Sequence, residues 1–239
     1  MVDHVENGAG SRSSGVLVDI LPDRAALGAD TEGTRSLLYP FVKRSIDVIG
    51  ASVLLMFFMP ALLIVAWLIR SDGGPALFRH PRVGRGGRIF HCLKLRTMVI
   101  DAQQRLDALL ESDPTAHAEW QRSQKLSKDP RVTRLGRFLR VTSFDELPQL
   151  LNVLRGEMSL VGPRPVTTAE IVRYGKSAVE YLSCRPGITG LWQVSGRSGI
   201  DYRQRVELDC TYAREVSLRL DISIMLKTVR VLLSRDGAC

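Results

Sequence analysis

The chain has 239 residues and a formal net charge of +8, from 33 lysines and arginines against 25 aspartates and glutamates. This excess favours anionic partners such as phosphates, nucleic acid or an anionic membrane surface. The four cysteines lack CxxC spacing, so we expect reduced thiols rather than a zinc site. The sequence contains no GxxxxGK[ST] phosphate loop, which argues against ATP-driven chemistry.

The first two segments predict a tail and a membrane helix. Residues 1–38 are rich in Gly, Ser, Asp and Arg, and we expect a mostly disordered cytosolic tail. No residue from Val48 to Ile69 is charged, and an apolar stretch of ~20 residues is long enough for a membrane helix. A buried core helix is the alternative, although it would usually be shorter. We therefore predict a membrane helix over residues 39–70.

The predicted membrane helix has features that argue against a straight span. Pro60 lies near its middle, where proline interrupts the hydrogen-bond ladder and kinks a helix. Basic residues flank it on both sides, and positive flanks prefer the cytoplasm. A bent helix that enters and leaves by the same membrane face satisfies both observations. On the surface of its first turns, Asp47 is spaced to pair with Lys43 or Arg44.

Two short strands are predicted after the membrane helix, at Ala76–Phe78 and Ile89–Leu95, between Gly-rich turns. Alternation along the second strand puts Lys94 and Arg96 on one face, where both could hold a phosphate. A solvated basic strand face is the alternative.

An acid pair, Asp145 and Glu146, opens the stretch TSFDELPQLLNVLRGEMSLVGPRP. Ser143 and Glu146 have capping-box spacing, although Pro148 also fits a helix whose N-cap is Asp145. In either case we expect the helix dipole to favour the ionised carboxylates, and we expect the helix to stop at Gly156. An ordinary N-terminal cap without chemistry is the alternative.

Several other residues are candidates for binding. Arg164 stands between two prolines, which suits a stiffly mounted phosphate grip. Arg197, in a Gly-rich loop, is a candidate contact to a nucleotide diphosphate, and Trp192 in the same loop could pack in the core or stack on a base. Residues 131–141 and 218–233 have basic amphipathic patterns, which favour either docking on the core or a position in the membrane interface.

The sequence resembles the bacterial sugar transferase family of monotopic phosphoglycosyl transferases over roughly residues 40–234. The resemblance is carried by DELPQLLNVLRGEMSLVGPRP, by the basic run KLRTM and by LDCTY, where Asp209 matches an acid of the family. It implies an α+β, mostly helical monotopic membrane protein with a re-entrant membrane helix, interfacial amphipathic helices and a small β-sheet. Residues 71–239 would form the cytosolic catalytic domain. The family often has Ser-Pro at the bend, whereas this chain has Met59-Pro60.

The resemblance also implies a reaction, namely transfer of a sugar 1-phosphate from a UDP-sugar to undecaprenyl phosphate with release of UMP (EC 2.7.8 type). Asp145 would attack the sugar phosphate, although spacing alone does not say which acid attacks, and Glu146 would hold Mg²⁺. The predicted substrate-binding residues are Lys94, Arg96, Arg164, Arg197 and Asp209.

The expected setting is the first membrane step of exopolysaccharide synthesis. Galactose or glucose is expected as the sugar, with N-acetylated sugars left open. The catalytic domain would lie on the cytoplasmic face of the bacterial inner membrane, in contact with its lipids, and a homodimer is left open.

Two other classes of protein were compared with this expectation. A phosphohydrolase would also use Asp and Mg²⁺, but the sequence has no DxD motif after a strand. A non-enzymatic membrane-anchored basic protein that binds anionic lipid or nucleic acid would fit the charge and the apolar segment. It would not explain the acid pair, and for the transferase we expect no nucleic-acid partner.

Overall fold

The computed structural model describes residues 38–123, 126–196 and 200–234, so nearly all of the predicted tail lies outside it. The described chain is mostly helical with two small two-stranded sheets, which confirms the expected mixture of helices and little sheet. The helices are α1 Tyr39–Arg70, α2 Ala102–Ser112, α3 Pro114–Ser123, α4 Arg134–Val141, α5 Gln149–Arg155, α6 Thr168–Ile171, α7 Ala178–Ser183, α8 Leu191–Ser195, α9 Tyr202–Glu215 and α10 Leu218–Ser234.

The four strands pair as β1 with β2 and as β3 with β4. β2 lies at the predicted Ile89–Leu95, whereas β1, at Leu77–Val83, is longer than the predicted strand. β3 (Ser159–Val161) and β4 (Gly187–Thr189) are parallel, with Ser159 opposite Gly187. Short 3-10 turns lie at Arg85–Gly87, Phe144–Glu146 and Val172–Ser177.

These elements belong to two compact units. Among the described residues, the first unit comprises 38–57, Arg79–Leu93, 149–196 and 200–234, and the second comprises Phe58–Phe78, 94–123 and 126–148. The domains predicted from the sequence, with a membrane helix at 39–70 and a catalytic domain at 71–239, stay a prediction.

Helix α1 is continuous over 32 residues, which corresponds to ~48 Å at ~1.5 Å per residue. Within the described part of the chain it is the one helix long and apolar enough to cross a membrane, and only 11% of its most apolar window is buried. The helix passes through Pro60 without a break in its assignment. The re-entrant hairpin is therefore not confirmed and stays a prediction.

In the first unit, the start of α1 is held by polar contacts with distant parts of the chain. Lys43 Nζ lies 2.9 Å from Asp221 Oδ2, and the Arg44 guanidinium donates to two carbonyls at the C-terminal end of α5. Asp47 accepts hydrogen bonds from the Ser159 hydroxyl and the Leu160 N–H, both at 2.9 Å. The predicted pairing of Asp47 with Lys43 or Arg44 is wrong, because β3 offers the buried carboxylate two donors at fixed positions.

One hydrophobic cluster of the first unit forms around a buried tyrosine. The Tyr181 hydroxyl donates to the Val83 carbonyl at 2.8 Å and accepts from the Val166 N–H at 3.2 Å, so it ties the end of β1 to the segment after β3. Because the buried hydroxyl both donates and accepts a hydrogen bond, its burial leaves no unsatisfied polar group. The cluster comprises Val83, Val166, Ile171, Tyr174, Ala178, Tyr181 and Leu182.

In the second unit, α4 packs closely on the segment that follows β2. The Thr133 side chain caps α4 by accepting from the Gly136 N–H, and a Cβ at Gly136 would lie 2.0 Å from the Thr97 carbonyl oxygen. Leu139 is completely buried, whereas Phe138 is 60% exposed. The apolar side chains of the predicted amphipathic segment 131–141 are therefore divided between the core and the surface.

Candidate functional site

The acid pair lies in a tight turn of the second unit rather than in the first turn of a helix. Phe144–Glu146 form a 3-10 turn, whereas α5 begins only at Gln149. Ser143 precedes the turn with φ 56°, the only positive φ among the described non-glycine residues, and its side chain makes no capping hydrogen bond. The predicted capping box is therefore wrong. The predicted stop is confirmed, because α5 ends at Arg155 and Gly156 has φ +80°.

Asp145 is a buried carboxyl with an altered proton affinity. It is 8% exposed, and burial raises its pKa to about 6. The charges of Lys94 and Arg140 pull this pKa down, while Glu146 pushes it up. We expected a helix dipole to favour the ionised carboxylate, whereas here desolvation outweighs the favourable charges and raises the pKa. Near neutral pH the group is still mostly the carboxylate, and it is a stronger base than an exposed aspartate.

Glu146 and Lys94 form an ion pair at this site. The Lys94 ammonium lies 2.6 Å from Glu146 Oε1, and both side chains are about three-quarters buried. Strand β2 brings Lys94 to this position one residue before the strand ends. A lysine, a glutamate and a buried aspartate therefore meet at one place in the second unit, as the sequence predicted for Lys94, Asp145 and Glu146.

Arg96 is engaged elsewhere in the second unit. Its guanidinium binds the Asp72 carboxylate with two nitrogens and also donates to three backbone carbonyls. Alternation predicted one shared strand face for Lys94 and Arg96, but Arg96 follows the end of β2 and the two side chains have different partners. A phosphate contact by Arg96 is not tested and stays a prediction.

In the first unit, Arg164 makes a cation–π contact with an aromatic ring. Its guanidinium carbon lies 5.6 Å from the centroid of Trp192, and the guanidinium of Arg205 lies 5.0 Å from the same centroid. Trp192 therefore packs against two arginines, and the π face of its ring attracts both guanidinium groups. Pro163 and Pro165, on either side of Arg164, are buried and limit the movement of its backbone.

Asp209 lies beside these two arginines, with its Oδ2 4.0 Å from Arg205 Nε. It is completely buried, accepts a 2.8 Å hydrogen bond from the Tyr174 hydroxyl, and lies near Arg164. Burial raises its pKa to about 6, although these partners and Arg205 oppose the shift. A direct substrate contact by Asp209 stays a prediction.

The remaining predicted residue, Arg197, lies outside the described residues. Three neighbours of the candidate residues were missed by sequence reasoning. Arg205 could have been found, since it lies four residues before Asp209 on α9. Tyr174 and Arg140 carry no comparable signal, because their partners are distant in the sequence or set by the path of a turn.

A magnesium site at the acid pair agrees with the chemistry of the donors. Carboxylate oxygens are the ligands that Mg²⁺ prefers, and this ion commonly completes its shell with water and substrate phosphates. In the described ranges, no group of three or more His, Cys, Asp or Glu side chains could hold a metal. Glu146 therefore fits an ion bound jointly with a phosphate rather than one held by the protein alone.

Comparison with known proteins identifies the family. The family model described as bacterial sugar transferase matches residues 38–235. The chain belongs to the bacterial sugar transferase family. The match covers both units that contain the candidate residues.

Several curated relatives align over most of this chain. A UDP-galactose-lipid carrier transferase of Erwinia amylovora is 51% identical over 198 residues, which is 83% of this chain and 42% of the relative. The exopolysaccharide production protein ExoY of Rhizobium meliloti is 49% identical over 82% of this chain and 87% of the relative. A UDP-glucose:undecaprenyl-phosphate glucose-1-phosphate transferase of Caulobacter vibrioides is 47% identical over 82% and 71%, respectively. The chain thus spans about two fifths of some relatives and most of others.

Proposed function

We propose that this protein transfers a sugar 1-phosphate from a UDP-sugar to undecaprenyl phosphate and releases UMP. The observation that carries the proposal is the buried Asp145 carboxylate beside the Lys94–Glu146 ion pair, in a chain of this family. The names of the relatives support the substrate classes, since they refer to a UDP-galactose-lipid carrier and to glucose transfer onto undecaprenyl phosphate. Galactose and glucose are accordingly the proposed sugars.

The reaction proceeds in two displacements. A carboxylate oxygen of Asp145 attacks the phosphorus that bears the sugar, and the bond from that phosphorus to the UMP oxygen breaks. UMP leaves with the bonding electron pair, and an aspartyl phosphate ester of the sugar remains. An oxygen of undecaprenyl phosphate then attacks the same phosphorus. The acyl-phosphate bond breaks, the Asp145 carboxylate returns, and undecaprenyl diphospho-sugar is the product.

The environment of Asp145 suits the first displacement. Its raised pKa makes the carboxylate more basic than an ordinary aspartate while leaving it mostly ionised at pH 7. The Lys94 ammonium next to Glu146 provides positive charge where a diphosphate would otherwise meet two carboxylates. Arg164 is proposed to bind phosphate oxygens with its planar guanidinium. Its contact with Trp192 already restricts the side chain, so less conformational entropy would be lost on binding.

Glu146 is the proposed Mg²⁺ ligand, together with oxygens of the substrate. The ion would neutralise phosphate charge during the attack of one anion on another. The ion pair with Lys94 orients Glu146 before substrate enters. In this scheme Lys94 can turn from Glu146 to a phosphate oxygen, because its flexible stem allows both contacts.

Membrane placement follows from α1, which is apolar and mostly unburied. We propose the cytoplasmic face of the inner membrane, where UDP-sugars are present, and exopolysaccharide synthesis as the setting. A non-enzymatic basic membrane protein is not favoured, because lipid binding needs no buried acid pair.

The test is release of UMP from UDP-galactose and UDP-glucose with purified protein in nanodiscs. Turnover should require both the UDP-sugar and undecaprenyl phosphate. Without the lipid acceptor, intact-mass spectrometry should detect a gain of one sugar phosphate on the peptide that contains Asp145. The adduct should be absent from Asp145→Asn, whereas Glu146→Gln should be impaired and partly rescued by excess Mg²⁺ or by Mn²⁺.

Two results would contradict the scheme. An Asp145→Asn variant with near-normal transfer would exclude the covalent route through Asp145 and leave direct attack by the lipid phosphate, or attack by Glu146. Lack of UMP release from every UDP-sugar in a panel that includes N-acetylated sugars would exclude the transferase.

A further inference from the structure

The guanidinium of Arg96 has no hydrogen-bonding capacity left for a ligand. An arginine side chain carries five N–H donors, and all are used here. Nε donates to the Pro75 carbonyl, and the two terminal nitrogens donate to both Asp72 oxygens and to the Ile69 and Met98 carbonyls. The side chain is only 10% exposed. Phosphate binding by Arg96 would require most of this network to break.

The network binds the C-terminal end of α1 through the Ile69 carbonyl. Ile69 lies in the last turn of α1, where helix carbonyls lack an intrahelical partner and the dipole favours a cation. The bonds from Arg96 lower the pKa of Asp72 to about 2, so this carboxyl is ionised at all physiological pH values. We call the Arg96–Asp72 ion pair, with its bonds to the end of α1, the clamp. The close fit extends to Gly74, since a Cβ there would come within 2.9 Å of an Arg96 nitrogen.

The same short segment also contacts the acid pair. Lys94, two residues before Arg96, forms the ion pair with Glu146, and the hydroxyl of Thr97, one residue after it, accepts from Arg140 Nε at 2.9 Å. Phe58 of α1 packs edge-on against Phe144, which precedes Asp145, with ring centroids 6.0 Å apart. All of these residues belong to the second unit.

We propose that Arg96, with Asp72, is a positioning residue that fixes the end of helix α1 relative to the acid pair. Residues 94–97 form a rigid link in which one side chain engages the helix end and another engages Glu146. The role in turnover rests on the proposed transferase function, whereas the clamp itself does not. Arg96 acts through Lys94 and the Phe58–Phe144 contact and does not bind the diphosphate.

The test compares Asp72→Asn and Arg96→Lys with Asp101→Asn in the full chain in nanodiscs. Asp72→Asn removes the charge of the clamp and leaves Arg96 in place, while lysine cannot supply five planar donors. Asp101→Asn is the matched control, because Asp101 pairs with Arg105 in the same unit through an ion pair that is about half exposed.

The kinetic readout separates positioning from substrate binding. Misplacement of catalytic groups by ~1 Å can cost up to ~100-fold, and we expect kcat to fall at least about tenfold in both clamp variants. KM for the UDP-sugar should stay within about twofold of the unaltered protein, since no ground-state contact is lost. The double variant should be no worse than Arg96→Lys alone, because both changes open one network. A raised KM in Arg96→Lys with normal kinetics in Asp72→Asn would instead make Arg96 a substrate ligand and overturn the proposal.

Amide hydrogen exchange tests the clamp without reference to activity. Exchange over residues 66–78 should be faster in Asp72→Asn than in the unaltered chain and unchanged in Asp101→Asn. Unchanged exchange in both variants would overturn the clamp. If the unaltered chain releases no UMP, the transferase function fails, and the exchange result still decides the clamp.

Discussion

At the residue scale, the properties of Asp145 depend on a balance between burial and charge. Burial withdraws water from the carboxylate, while the ammonium of Lys94 and the guanidinium of Arg140 restore part of the lost stabilisation. The result is a basic but ionised carboxylate, which matches what a nucleophile needs near neutral pH.

This balance predicts the pH dependence of the first half-reaction. Because the carboxylate attacks and its pKa is about 6, adduct formation should rise from pH 5 to pH 7 and then level off. The rate should be measured as UMP release in a single turnover at fixed Mg²⁺ concentration. Removing the positive charge with Lys94→Gln should move the midpoint to higher pH, although the variant will be slower. A flat profile between pH 5 and pH 8 would contradict the role of Asp145.

Arg164 gives a second prediction at this scale. Arg164→Lys should lower kcat/KM, corresponding to a rise of roughly 2–4 kcal/mol in activation free energy, because an ammonium cannot make a bidentate contact. Arg173→Lys is the matched control, since the guanidinium of Arg173 also lies over an aromatic ring, that of Tyr202, at 5.0 Å. Near-normal turnover of Arg164→Lys, measured with the same UDP-sugar, would assign Arg164 a structural role only.

At the element scale, the start of α1 is fixed by a polar anchor in the first unit. Asp221 is 4% exposed and accepts hydrogen bonds from Tyr39, Lys43 and Tyr212. Helix α10 thereby holds the first turns of α1, so an apolar helix with few buried side chains still has a defined starting position.

The anchor predicts a loss of stability on substitution. Asp221→Ala leaves the Lys43 ammonium partly buried without its partner, which typically costs about 3–5 kcal/mol. The thermal unfolding midpoint in detergent should fall clearly. Asp101→Ala, which removes an exposed ion pair, should change the free energy of unfolding by no more than ~1 kcal/mol. Equal midpoints for the two variants would show that the anchor does not stabilise the fold.

At the scale of the whole molecule, the distribution of charge constrains how the chain meets a membrane. Basic residues precede and follow the uncharged stretch of α1, and cytoplasmic flanks are the positive ones. A straight span would place one basic flank on the opposite side, although α1 is continuous through Pro60. Kinking at proline remains compatible with an unbroken helix assignment.

We therefore predict that tags fused at Met1 and at Cys239 of this chain face the cytoplasm. Reporter fusions in bacteria measure this directly. Pro60→Leu should straighten α1 and move some molecules into a full span, while Pro114→Leu, at the start of α3, should leave the topology unchanged. Tags on opposite sides in the unaltered chain would exclude the hairpin.

Much of the local structure could be predicted from the sequence because it depends on short-range patterns. Alternation correctly set β2, and glycine correctly ended α5. The sequence predicted the acid pair as a candidate site but not its backbone conformation, since Ser143 adopts a left-handed conformation that capping statistics do not anticipate. The partner of Asp47 was also missed, because a buried carboxylate takes fixed donors from β3 in preference to a neighbouring cation.

The sequence by itself determined the family and the apolar helix and predicted the candidate site residues, since motifs and hydropathy are local properties of the chain. Only the tertiary structure decided what each charged group does. Lys94 and Arg96 are equivalent in the sequence pattern, yet one pairs with Glu146 and the other closes around the end of α1. Asp145 resembles an ordinary capping acid until burial raises its pKa. The physical reason is that partner choice and desolvation depend on atoms brought together from distant positions, and no local pattern records them.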